Sequence, residues 1–264
     1  MKKVLAGMVG MSLMVAAGCA QSPVKETAQL SEEARKRAQQ SAKIHAELAG
    51  QYYRRGQYRV AIEEAEIALR SSPEYAPAYN VLGLVYMDLR ENERARGNFE
   101  HALRIAPNDS DVHNNFGWFL CQRQPEQMEL AVDHFMSALR DPLYEMPEKT
   151  YSNAGICVLK RNEFERAYAF FQKALVIRPH YPLAVLGLIE IDFKRGDLRA
   201  AKANITSYMQ TYPPAPESLW LAIQIERAIS DHQAEASYAF QLQRRFPDSS
   251  EAIALREGRL NHAR

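Results

Sequence analysis

Five prolines set the frame of this chain. Pro73 and Pro107 lie 34 residues apart, Pro179, Pro213 and Pro247 are again spaced by 34, and the gap from Pro107 to Pro179 is 72, two periods and four residues more. Such a period is the mark of a repeat architecture, in which each unit is a small supersecondary element that cannot bury its apolar face alone and stacks on its neighbours. Between the prolines the composition is that of helix. Ala, Leu, Arg, Glu and Gln recur, and Gly and Pro together account for 25 of 264 residues, too few for a loop-rich β protein. With 47% hydrophobic and 25% charged positions the chain is neither disordered nor collagenous. An all-α stack of helix pairs is the expected fold.

Thirty-four residues is the tetratricopeptide period. With each proline at position 32, the second repeat reads Tyr79, Leu82, Gly83, Tyr86, Ala95, Phe99, Ala102, Pro107, close to the pattern of that repeat throughout. The first gives His45, Leu48, Ala49, Tyr52, Ala61, Ala65, Ala68, Pro73, and the fourth gives Tyr151, Ala154, Gly155, Val158, Ala167, Phe171, Ala174, Pro179. Small residues fall where the two helices of a repeat cross, and large ones where neighbouring repeats pack. The third repeat has His113, Phe116, Gly117 and Leu120, but its Ala131, Phe135 and Ala138 come two residues late, which locates one insertion at residues 122–126 and a second at 141–147. The fifth and sixth repeats are degenerate, with Ile189 and Ile223 where Gly is preferred and Asp192 and Glu226 where an aromatic is expected. Ser249 or Ser250 can cap a final helix running to about Asn261, polar on one side as a solenoid end requires. Residues 42–264 are therefore expected to form one tetratricopeptide-repeat superhelix of six helix-turn-helix repeats and a C-terminal capping helix.

The first helices of such an array line its concave surface, the default place for a partner. Positions 2, 5, 9 and 12 of those helices select Tyr53, Asn80, Leu84, Met87, Asn114, Trp118, Ser152, Ile156 and Leu159 as a protein-binding groove, apolar with amide rungs. A monomer seldom leaves such a patch in water. Burial of the same side chains by superhelix curvature is the competing reading.

The N-terminus reads as an address. Met1-Lys2-Lys3 precedes an uncharged apolar stretch from Val4 to Gly18, too short to cross a bilayer comfortably. Ala16-Ala17-Gly18-Cys19 resembles the end of a bacterial lipoprotein signal, which implies removal of 1–18, lipidation of Cys19 and residence outside the cytoplasm. Ala20 in place of Asp implies the outer membrane. A plain secretory signal is the alternative. Residues 19–41 then comprise the lipidated cysteine and a tether leading into the first helix.

No catalytic or metal constellation is found: there is no paired-His helix motif, no Gly-rich phosphate loop and no Gly-x-Ser-x-Gly, and the seven histidines are scattered. No cofactor, metal or small-molecule substrate is expected, and the protein does not read as an enzyme. His45 and His113 occupy a packing position of their repeats. A net charge of +1 gives no electrostatic footprint for nucleic acid. Apart from Cys19, two cysteines remain, an even pair in an oxidising compartment. Cys121 and Cys157 lie on first helices of adjacent repeats, and a bridge would close a loop of about 36 residues and stabilise by roughly 3–4 kcal/mol. Their phases differ by two residues, so two separate buried thiols remain the other reading.

The centre of the chain is more specific than the generic repeat. The run Asn114-Asn115-Phe116-Gly117-Trp118-Phe119-Leu120-Cys121, then Pro142-Leu143-Tyr144 and Asn153-Ala154-Gly155-Ile156-Cys157, resembles the type IV pilus biogenesis lipoproteins of the PilF/PilW family. The resemblance implies a pilotin: a lipoprotein on the periplasmic face of the outer membrane that brings the type IV pilus secretin subunit there and promotes assembly of its ring. The alternative is a scaffold lipoprotein of another envelope machine, for barrel insertion or peptidoglycan synthesis. A chaperone-tail clamp is disfavoured. Asn115 and Lys149 match two of its positions, but the first Lys-Asn pair is missing.

Overall fold

The computed structural model describes residues 23–258. Among them are thirteen α-helices, and no strand. They fall into the six expected pairs: α1 (Pro23–Arg54) with α2 (Tyr58–Ser71), α3 (Ala76–Asp88) with α4 (Asn92–Ile105), α5 (Ser110–Arg123) with α6 (Met128–Ala138), α7 (Pro147–Leu159) with α8 (Phe164–Ile177), α9 (Pro182–Lys194) with α10 (Leu198–Thr211), and α11 (Pro216–Ala228) with α12 (His232–Arg245). The terminal α13 (Ser250–Arg256) packs on α11 and α12. The signal at 1–18 and Cys19 lie outside the described residues, as do residues 259–264, so the part of the last helix expected beyond them is not described.

Local chemistry sets the boundaries. α7, α9 and α11 begin at proline, whose missing N–H is one of the donors a helix start leaves unpaired anyway. Asp109, Asp197, Asp231 and Ser249 accept hydrogen bonds from the backbone N–H three residues on, capping α5, α10, α12 and α13. The turn inside five of the repeats places a residue in the left-handed region: Gly56, Arg90, Asn162, Gly196 and Ser230, with φ between 59° and 82°. The period thus recurs in the backbone. The third repeat departs from it because its insertion is taken up as a short 3-10 turn, Pro125–Gln127, between α5 and α6. The second insertion forms the loop before α7.

The helix crossings follow one rule. Gly83, Gly117 and Gly155 let the helices approach until the rings of Phe99, Phe135 and Phe171, all fully buried, lie against them. One apolar cluster runs from Ala49 to Ile191, and two smaller clusters serve the degenerate repeats. Glu226, where an aromatic was expected, is buried and paired with Lys202.

The expected tether needs correction, because α1 already begins at Pro23. Residues 31–40 are exposed apart from a half-buried Ala38, and from residue 31 on the first buried side chain is that of Ala42. This segment is helical without a packing face because Ala, Glu, Gln, Lys and Arg are strong helix formers. Glu32–Lys36 and Glu33–Arg37 form i,i+4 pairs with the acid on the N-terminal side. Extending a helix whose C-terminal half is already packed requires no new nucleus.

A concave groove as the candidate functional site

The first helices face a common cavity of about 580 Å³. It is lined in turn by Tyr53 of α1, Leu84, Met87 and Asp88 of α3, Asn114, Asn115, Trp118 and Gln122 of α5, and Lys149, Asn153, Ile156 and Lys160 of α7. Leu183, Leu186, Gly187 and Glu190 of α9, Glu217 of α11, and Ser250 and Glu251 of α13 continue it. Six of the nine side chains selected from the sequence therefore border one space: Tyr53, Leu84, Met87, Asn114, Trp118 and Ile156.

Three do not border it. Asn80 is half-buried, and its Oδ1 accepts from Asn115 Nδ2 at 3.2 Å. Ser152 is fully buried and donates to the Glu148 carbonyl at 2.8 Å, and Leu159 is part of the apolar core. In α7 the reason is rotational, whereas Tyr53, Met87 and Asn114, at positions 12, 12 and 5 of other helices, still border the cavity. At about 100° per residue, positions 6 and 13 fall roughly 40° and 20° from position 2, whereas positions 5 and 12 fall roughly 60° and 80° away on the other side. Lys149 at position 2, Asn153 at position 6 and Lys160 at position 13 consequently line the groove; positions 6 and 13 lay outside the selection, and Lys149, though at position 2, was not among the residues selected.

Amides organise the floor. Asn153 Nδ2 donates to Asn114 Oδ1 at 3.0 Å, Asn114 Nδ2 to Asn115 Oδ1 at 3.2 Å, and Asn115 Nδ2 to Asn80 Oδ1, so four side chains from three helices form one directed chain. Thr150 Oγ1 also donates to Asn114 Oδ1 at 3.0 Å. Asn114 can be buried because its oxygen is satisfied twice. At the α1 end, burial first and then the Asp88 carboxylate push the Tyr53 hydroxyl well above the usual phenol range. Tyr58 donates to the same carboxylate at 3.3 Å.

Below the groove, Cys121 and Cys157 are joined in a disulfide that ties α5 to α7, with Cα atoms 5.7 Å apart. Both residues are buried. The two-residue phase difference between them is thus compatible with a bridge. His45 Nδ1 lies 2.6 Å from Glu64 Oε2. His113 meets a residue that the sequence pattern did not single out: its Nδ1 is 2.9 Å from Nδ1 of His134, and its Nε2 is 2.9 Å from the Pro107 carbonyl. Since a carbonyl only accepts, His113 carries its proton on Nε2, and His134 Nδ1–H donates to His113 Nδ1. Burial, then the neighbouring His113, lower the His134 pKa to about 4.

Comparison with known proteins agrees with this architecture. A tetratricopeptide-repeat family model matches residues 46–110. The type IV pilus assembly protein PilF of Pseudomonas aeruginosa is 26% identical over 200 residues, which cover 76% of this chain and 79% of PilF. The crystal structure of PilW, a widely conserved type IV pilus biogenesis factor, superposes with a TM-score of 0.69 at 33% identity, over 82% of this chain and 98% of PilW. A solved structure of Pseudomonas aeruginosa PilF gives a TM-score of 0.65 at 24% identity over 84% of this chain and 99% of that one, a likeness of fold.

Proposed function

The chain belongs to the PilF/PilW family of tetratricopeptide-repeat proteins of type IV pilus biogenesis, and on that premise we propose that it acts as a pilotin. In this reading Cys19 is lipidated, the protein sits on the periplasmic face of the outer membrane, and its groove holds a segment of the type IV pilus secretin while the ring assembles. The role is binding and positioning, without catalysis or cofactor.

One observation carries the reading: side chains nominated from four separate helices by the repeat register converge on a single groove, apolar at Leu84, Met87, Trp118 and Ile156 and polar along its floor. That is the make-up of a site for a polypeptide segment, in which apolar anchors supply affinity and a few fixed polar groups supply orientation. A lipid would add membrane affinity, and confinement to a surface raises the local concentration of the held segment. The exposed stretch of α1, residues 31–40, supplies a stiff reach of about 15 Å at 1.5 Å per residue.

The test is a Leu84→Ser/Trp118→Gln variant, which leaves the buried Met87 in place. It should recover less secretin from envelope extracts and leave fewer assembled rings, while circular dichroism stays helical with a cooperative melt. Ring assembly at wild-type level by the folded variant removes the groove from the proposal. Recovery of barrel-insertion or peptidoglycan-synthesis components in place of a secretin favours the scaffold alternative. Separately, Cys19→Ser should move the protein out of the outer-membrane fraction, and unchanged fractionation and mature mass would end the lipid-anchor claim.

A further inference from the structure

The carboxylates of the groove are not equivalent. Asp88 receives the Tyr58 hydroxyl, Glu190 has Lys194 at 3.5 Å, and the buried Glu226 deeper in α11 is paired with Lys202. At the far end of the groove Glu217 and Glu251 differ. Neither has a Lys, Arg or His partner within ion-pair distance among the described residues. Glu251 is only 6% exposed, borders the cavity, and accepts a hydrogen bond from the Ser250 hydroxyl at 3.0 Å.

Removing a carboxylate from water without a cation costs free energy, and the other buried acid among the described residues, Glu226, is matched by Lys202. The apolar anchors belong to α3, α5, α7 and α9, whereas the two carboxylates that have no cation partner among the described residues belong to α11 and α13. An occupant that follows the groove past Leu183 and Leu186 therefore meets negative charge at its end. The lysines bordering the cavity are Lys149 on α7 and Lys160 just past its C-terminus, and Lys160 donates to Gln122 at 2.7 Å.

We infer that the groove takes a segment of a partner protein that is apolar along most of its length and carries a lysine or arginine at one end, where Glu217 and Glu251 receive it. The inference rests on the groove being the docking site. It adds a direction: the charged end of the segment lies toward α13, so the segment enters in one orientation only. Opposite charge across an interface contributes orientation and partner choice more than bulk affinity.

Two short capped peptides test it, sharing one Leu- and Phe-rich stretch and differing only in a terminal Lys or Gln, with Trp118 fluorescence as the readout on the mature protein. The Lys peptide should bind about fivefold or more tighter at low salt. Its advantage should disappear in Glu217→Gln/Glu251→Gln and at high salt, and both peptides should weaken equally in Leu84→Ser. Equal affinity of the two peptides for the wild-type protein, or binding of neither, overturns the assignment. The secretin-recovery experiment tests the groove itself, so the two failures are distinguishable. Residues 259–264 contain Arg259 and Arg264. If the advantage appears only once these residues are removed, the chain's own tail is the occupant and the assignment to a partner falls.

Discussion

The ring of Phe171 fills the space that a side chain on Gly155 would need: a Cβ added at Gly155 would lie 2.6 Å from Phe171 Cε1. The same ring also rests against Gly187 of the next repeat, so one phenylalanine serves both the crossing within a repeat and the seam to its neighbour. Gly155→Ala should therefore destabilise by about 1–3 kcal/mol through overpacking in urea melts. Gly97→Ala is the control. Gly97 is an exposed position inside α4 with nothing within 4 Å of an added Cβ, and there Ala should stabilise by roughly 0.5–1 kcal/mol. Equal effects at the two sites would show that Phe171 does not set the crossing distance.

Opening the bridge should weaken the array without unravelling it. Replacing Cys121 and Cys157 with Ser is expected to remove roughly 3–4 kcal/mol from a loop of this size, while the far-ultraviolet spectrum stays helical. Peptide mapping by mass spectrometry under non-reducing conditions should recover the two cysteines linked. Free thiols in protein taken from the periplasm would contradict that expectation.

Stability should fall on mild acidification because of His134. Its folded pKa of about 4 lies below the ordinary value of 6.5, so between these limits the unfolded chain binds the proton and the folded chain resists it. Stability is thus fully present above pH 6.5 and is lost as pH falls toward 4. The loss is roughly 1–2 kcal/mol after allowance for partial solvent screening of a half-exposed group. His134→Gln, measured alongside the wild type from pH 7.5 to 4, should flatten this part of the profile. An unchanged slope would assign the acid sensitivity to other groups.

The Lys202–Glu226 pair should show a strong asymmetry between single and double replacement. Glu226 is fully buried, and one of its oxygens has no hydrogen-bond partner. Lys202→Met leaves that charge without its partner and should cost about 3 kcal/mol, whereas Lys202→Met/Glu226→Leu should recover most of the loss. A double-mutant cycle on thermal or urea midpoints reads the coupling. Additive effects would mean that the pair does not act as a unit.

Much of the architecture can be read from residue spacing, because every repeat solves the same packing problem with the same residues. Pro107 and Gly83 each have a counterpart one period away, Phe99 has its own in Phe135 two residues late, and errors in register would have shown as polar residues at the crossings. The groove was legible only in part, since a helix advances by 3.6 residues per turn and whole-number positions drift off its stripe. Ser152 and Leu159 were misplaced for that reason, and Asn153 and Lys160 were overlooked, while Lys149 was matched only to a clamp position. Residues 31–40 are almost wholly exposed and carry no apolar period, so helix there was detectable only from propensity and the Glu32–Lys36 spacing. Glu226 was visible as a departure from the pattern. Its solution, a lysine from α10, is a contact between helices that no local motif announces.

The disulfide also changes how the solenoid deforms. In an array that touches only nearest neighbours, compliance accumulates at the seams between units. Covalent closure of the seam between α5 and α7 stiffens the coil at its waist and leaves the flanking seams as the soft ones. The molecule should then flex like a pair of callipers, its jaws at α1 and α13 opening about a fixed centre while the amide floor under Asn114 and Asn153 keeps its shape.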